Sequence, residues 1–104
     1  MRRSIVKDRA AETDLVEIWV YSYRTWGEAQ AERYLSALES GVTRIASAPE
    51  AGTPRHELRE GYWSKAVEHH VIFYTFTEDE LRVRRVLHEV MDAPRHIETD
   101  DRLQ

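Results

Sequence analysis

The side chains best suited to chemistry crowd the last third of the chain. Histidine comes first, because its ring titrates near neutrality and ligates metals. His69 and His70 are adjacent in a strand-like segment, so their rings point to opposite faces and cannot share one metal. His88-Glu89 opens like the two-histidine zinc motif of metalloproteases, but Asp92 stands where the second histidine must be. A His88/Asp92 pair at helical spacing lacks the further ligands a stable site needs. Among the basic residues, Lys65, Arg82, Arg84 and Arg85 with His88 can form a phosphate-binding face carrying an acid–base group. The competing reading is a solvated strand face, and Glu89 beside His88 would repel a phosphate. There is no cysteine, which excludes disulfides, thiolate metal sites and cysteine nucleophiles. The chain also lacks a glycine-rich phosphate cradle, a Gly-x-Ser-x-Gly elbow and a dinucleotide fingerprint. The residues therefore point to no complete catalytic set, no cofactor and no metal.

Two other groups of residues suggest contact rather than catalysis. Trp19, Tyr21, Tyr23, Trp26 and Tyr34 fall on a helical region too small to bury them all. Trp26 and Tyr34 are expected in the core. Trp19 and Tyr23 are expected to form an exposed patch, and such patches rimmed by charge mark protein–protein sites. The stretch after His88 is short, polar and interrupted by Pro94. It offers His88, Met91, Asp92, Arg95 and His96 as candidates for contact with a target, projecting from a rigid sheet. The alternative is that Met91 and Ile97 only staple this tail onto the sheet.

Positioning these residues requires the following elements. Arg2 to Lys7 reads as a short strand. Asp8 is placed as an N-cap for a helix opening at Arg9, whose face is Ala11, Leu15, Ile18, Ser22 and Trp26. Gly27 is expected to end it in a left-handed conformation. A second helix over about Glu28 to Ser47 has Ala31, Tyr34, Leu35, Leu38, Val42, Ile45 and Ala46 on one face. So short a connection makes the pair an antiparallel hairpin. Pro49 to Pro54 reads as a loop hinged at Gly52. Gly61 to Glu68, His69 to Thr77 and Leu81 to His88 follow as strands, the middle one apolar enough to be covered on both faces. The order β-α-α-β-β-β predicts an α+β fold, a helix hairpin packed on a small, mostly antiparallel sheet.

Composition limits what such a domain does. At 104 residues the chain is one domain. Its formal charge of −4 is not the footprint of a nucleic-acid binder, and no direct nucleic-acid contact is expected of it alone. Thirteen of its fifteen basic residues are arginine, which suits bidentate recognition of carboxylate or phosphate, the competing reading being genomic codon bias. The short apolar N-terminus is no signal peptide, and no segment has the ~20 apolar residues of a membrane span. The expectation is a soluble, cytoplasmic protein.

Certain residues in order carry a family resemblance: Asp14-Leu15-x-x-Ile18, Trp26-Gly27-x-x-Gln30-Ala31-x-x-Tyr34-Leu35, Pro49-x-x-Gly52, Leu58-Arg59-x-Gly61-Tyr62, His70-Val71-Ile72-Phe73-Tyr74 and the run from Arg85 to Ile97. Together they resemble the ParE branch of the ParE/RelE toxin superfamily over roughly residues 2 to 97. The resemblance implies a toxin domain over residues 1–97, with residues 98–104 an acidic, disordered end. It implies the toxin of a type II toxin–antitoxin module that inhibits DNA gyrase by protein contact. It implies neutralisation by a ParD-like antitoxin in a hetero-oligomer, with Trp19 and Tyr23 as antitoxin contacts. The alternative within the superfamily is a RelE-like, ribosome-dependent mRNA endonuclease, in which Lys65, Arg82 and His88 would be catalytic. A third is a detoxified relative that only binds. Glu89 departs from the nucleases, which often carry tyrosine there.

Overall fold

A computed structural model describes residues 3–97. Residues 1–2 and the acidic end at 98–104 lie outside the described residues. The elements are β1 (Ser4–Lys7), α1 (Arg9–Trp26), α2 (Glu28–Ser47), a 3-10 turn (Pro49–Ala51), β2 (Thr53–Pro54), β3 (Trp63–Val67), β4 (His70–Phe76) and β5 (Glu80–His88). They form a helix hairpin on one sheet of order β1-β5-β4-β3-β2, the α+β architecture the periodicities require. β1 joins β5 in parallel and the other pairings are antiparallel, so the sheet is mixed.

Register decides which side chains meet. On β4, His70, Ile72, Tyr74 and Phe76 face the helices, while Val71 and Phe73 face the other way. Arg84 is an extra residue in β5, between the Phe73–Arg85 and Tyr74–Val83 pairs. This bulge keeps Leu81, Val83, Val86 and His88 all on the helix side. The main core joins Ala11, Leu38, Val42, Ile45 and Ala46 of the hairpin to Ile72, Tyr74, Leu81, Val83 and Val86 of the sheet. A second cluster, Tyr62, Phe73, Leu87 and Ile97, covers the opposite face. β4 is thus covered on both faces, as its composition requires.

Several local expectations need correction. Asp8 is the N-cap of α1, but its side chain makes no capping bond. Its carboxylate instead takes Arg82 and Arg84, each at 3.1 Å, because charge-assisted bonds outweigh a neutral cap. Gly27 has positive φ (92°), but its ψ of 171° is extended rather than left-handed helical. It closes α1 through its N–H to the Tyr23 carbonyl and opens α2 by accepting from Ala31.

The segment from Pro49 to Pro54 is not a bare loop, since it holds a 3-10 turn and an edge strand. Gly52 is no hinge. Its φ of −79° suits any residue, but a Cβ there would fall on the Tyr74 hydroxyl and within 2.8 Å of the Ser64 carbonyl. That hydroxyl is held in place, donating to the Pro49 carbonyl at 2.7 Å. Pro94 does not break the tail either. Residues 93–97 are helical, and proline sits in the first turn, where its missing N–H has no partner to lose.

Candidate functional site

Helix α1 exposes two apolar surfaces. Along its outer side run Val16, Trp19, Val20 and Tyr23, at helical spacing and opposite the buried Ala11 and Ser22. Trp19 is half-buried and Tyr23 is 51% exposed, their rings tilted with centroids 6.2 Å apart. Of the expected pair Tyr23 is exposed and Trp19 only partly so, and two exposed valines extend the stripe. Trp26, expected in the core, is 68% exposed. At the last turn of α1, beside the hairpin's glycine, it lines a groove instead.

That groove, of about 750 Å3, lies between α1, α2 and the adjoining ends of β4 and β5. Ile18, Tyr21, Trp26, Val86, Val90 and Met91 make its apolar walls, and Tyr34, His70 and His88 supply polar groups. Register sets His70 opposite His88, and their rings meet edge to face at 5.1 Å. The His69 N–H donates to the Tyr34 hydroxyl (3.1 Å), which leaves that hydroxyl to donate to His70 Nδ1 (2.6 Å). His70 therefore carries its proton on Nε2. The Val90 N–H donates to His88 Nδ1 at 3.2 Å, which sets the same tautomer there. Burial, with smaller contributions from His88 and His69, pushes the His70 pKa down to about 4. Desolvation likewise raises the Tyr34 phenol. With its Nδ1 engaged and its pKa lowered, the His70 imidazole is a hydrogen-bond donor in the groove, not a base ready to take a proton. Tyr34, expected in the core, packs at its edge and also reaches the groove, where His70 joins it. The alternation of β4 signals its face, but its pairing with His88 needed the register.

The basic residues of the sheet are mostly committed to structure. Arg82 is held by Asp8 and Glu80, and Arg84 by Asp8 and Thr75. Arg85 forms a bidentate pair with Asp14 at 2.7 and 2.8 Å and donates to the His96 carbonyl. The expected phosphate-binding face is therefore not available as one surface. Lys65, Arg82 and His88 are not brought together. Lys65 pairs with Ile72 on the helix side, Arg82 with Thr75 on the opposite face, and His88 lines the groove at the far end of β5. Glu89 lies 3.3 Å from exposed His69. Among the described residues no group of three or more His, Cys, Asp or Glu is placed to hold a metal ion.

The tail divides into an anchored and an open part. Ile97 is 2% exposed against Tyr62, Phe73 and Leu87, so it does staple the tail. Val90 is 82% exposed and Met91 48%, so Met91 is not the staple. Asp92 and Arg95 are also exposed, while His96 is half-buried. Val90 was not among the expected contacts, although an apolar residue in a polar turn is a readable signal.

This arrangement of hairpin, mixed sheet and short tail recurs in known proteins. A family model described as the ParE toxin of the type II toxin–antitoxin system parDE matches residues 5–93. The chain belongs to the ParE toxin family. It is 40% identical over 89 residues to Toxin ParE1 of Mycobacterium tuberculosis, covering 85% of this chain and 91% of that protein. Toxin ParE1 of Caulobacter vibrioides is 39% identical, covering 86% of this chain and 92% of the relative. Toxin ParE of Escherichia coli is 37% identical, covering 79% and 81%. In three dimensions it matches a chain of the chromosomal ParDE toxin–antitoxin system of P. aeruginosa with a TM-score of 0.72. That match covers 84% of this chain and 96% of the other at 17% identity, so it speaks for the fold. The protein is thus a ParE toxin of a type II toxin–antitoxin system, a class whose name entails an antitoxin. No helix among the described residues is long and apolar enough to cross a membrane.

Proposed function

We propose that this ParE toxin acts by binding DNA gyrase and inhibiting it through protein contact, with no chemistry of its own. A ParD-like antitoxin neutralises it by folding over α1. The observation that carries this reading is the apolar stripe Val16–Trp19–Val20–Tyr23, exposed on a domain that belongs to the ParE family. Exposed aromatic stripes on a small, charged protein favour partner binding. The dispersal of Lys65, Arg82 and His88, and the engaged state of the groove histidines, support contact over catalysis. On the target side the open tip at Val90 and Met91, with Asp92 and Arg95, is the surface we assign to gyrase. Pro94 restrains that tip and lowers the cost of ordering it on a target.

The antitoxin side is tested by calorimetry. Ordering a disordered segment costs several kcal/mol, so its anchors must return large, aromatic contacts. Changing Trp19 and Tyr23 to alanine is expected to raise the dissociation constant of the toxin–antitoxin complex at least tenfold, with the melting temperature of the toxin unchanged. Unaltered affinity would remove α1 as the docking face. In cells, induced toxin is expected to trigger the DNA damage response and filamentation. Cleavage of mRNA in translating ribosomes, abolished by His88→Ala, would establish the nuclease alternative instead.

A further inference from the structure

On this acidic chain a basic hollow lies beside an open strand edge. β3 pairs with β4 along its whole length, but on its other side, among the described residues, only Thr53 and Pro54 pair with it, opposite Ser64 and Trp63. The Tyr62 carbonyl accepts from Arg55 on that outer side. By the alternation of an antiparallel strand, Ala66 therefore turns its N–H and C=O outward, past the end of β2. Between this edge and α2 lies a hollow of about 260 Å3. Ile45, Val67 and Tyr74 line its apolar part, and Arg44 and Lys65 are its charged groups. Gly41 makes the close crossing possible, since a Cβ there would come within 2.7 Å of the Val67 methyls. Neither Arg44 nor Lys65 has a carboxylate partner among the described residues, whereas Lys7, Arg55, Arg82, Arg84 and Arg85 all do. Glu50 of the 3-10 turn acts on the Tyr74 hydroxyl but does not line the hollow.

We infer that this edge and hollow form a docking site for an extended, acidic segment of a partner protein. The segment lies along β3, exchanging backbone hydrogen bonds with Ala66 and setting a carboxylate between Arg44 and Lys65. Strand addition supplies affinity through the main chain, and side chains choose the partner. Two cations without acids in the same hollow select a carboxylate. The inference rests on the reading of a toxin held by an antitoxin and names the chemistry of a second antitoxin segment, distinct from the one on α1. The competing role for Lys65 is to guard an edge strand against pairing with other molecules.

Two synthetic peptides, blocked Val-Glu-Val-Glu-Val and its lysine counterpart, separate these roles by amide chemical shifts of isotope-labelled toxin. The acidic peptide is expected to shift Lys65–Val67 and the Arg44 turn of α2, with at least tenfold higher affinity than the lysine peptide. Its affinity is expected to fall as salt rises. The double change Arg44→Glu with Lys65→Glu, both at exposed positions, is expected to keep the melting temperature and reverse the preference. No shift at this edge, equal response to both peptides, or an unreversed preference overturns the inference. The peptides need neither Trp19 nor Tyr23, so failure of the α1 reading and failure of this one show in different measurements.

Discussion

At the scale of single side chains, Asp14 closes an edge that β1 leaves open. β1 covers β5 only from Glu80 to Val83, and beyond it the Val86 N–H donates to the Asp14 carboxylate at 2.9 Å. The same carboxylate holds Arg85, with side chains only 10% and 13% exposed. Breaking a largely buried pair from one side takes from Arg85 its bidentate carboxylate, so Asp14→Ala is expected to lower unfolding free energy by about 3 kcal/mol. Urea denaturation checks this, and a loss under about 1 kcal/mol, the worth of a surface pair, would contradict it. His70 gives stability a pH dependence. Its folded pKa of about 4 lies below the ordinary 6.5, so between those values the unfolded chain binds the proton that the folded chain refuses. Stability from this group is whole above about 6.5, declines as pH falls through that window, and levels off below about 4. His70→Asn is expected to flatten the fall in melting temperature between pH 6.5 and pH 5. An unchanged slope would place the dependence elsewhere. His88 was visible from its position at a strand exit. The Asp14–Arg85 pair was not, because no local pattern links residues 71 positions apart in sequence.

At the scale of elements, period and punctuation served well where segments were long. Both helices keep the limits set by Asp8, Gly27 and Pro49, and all three long strands lie within two residues of their expected ends. The short pieces were illegible for a physical reason. β2 has two residues and the helix at 93–97 has barely one turn, too few for either periodicity to repeat. The tail has the clearest consequence, since one end is buried and the other open. Ile97→Ala is expected to cost about 2 kcal/mol or more, because it opens a cavity against Phe73 and Leu87. Val90→Ser with Met91→Ser is expected to shift stability by no more than about 0.5 kcal/mol each, as exposed substitutions do. The serine pair is expected to reduce toxicity while leaving antitoxin affinity unchanged. Full toxicity in that variant would remove the tip as a target contact. Deleting everything after Glu89 would confuse the two roles, because it removes Ile97 as well.

At the scale of the whole molecule, the fold was readable because hairpin and meander follow from connection length and strand alternation. The parallel return of β1 against β5 was not, since nothing local says which sheet edge a first strand joins. The site was readable only in part. Trp19 and Tyr23 announced an outer face, but Val16 and Val20 complete it, and the groove with Tyr34, His70 and His88 exists only once four elements meet. What results is a small scaffold with two separate apolar surfaces, the stripe on α1 and the open tip, which we propose serve an antitoxin and a target respectively. Asp8, Asp14, Arg82, Arg84 and Arg85 are spent on holding β5 to the start of α1. A toxin of this kind is expected to act stoichiometrically, by occupying its target. The most direct measurement is supercoiling of relaxed plasmid by purified gyrase, with the toxin added in increasing amounts. The expected result is inhibition that reaches completion near stoichiometric amounts, is relieved by the antitoxin, and is lost in the Val90→Ser, Met91→Ser protein. Undiminished supercoiling at a large molar excess of folded toxin would contradict the account.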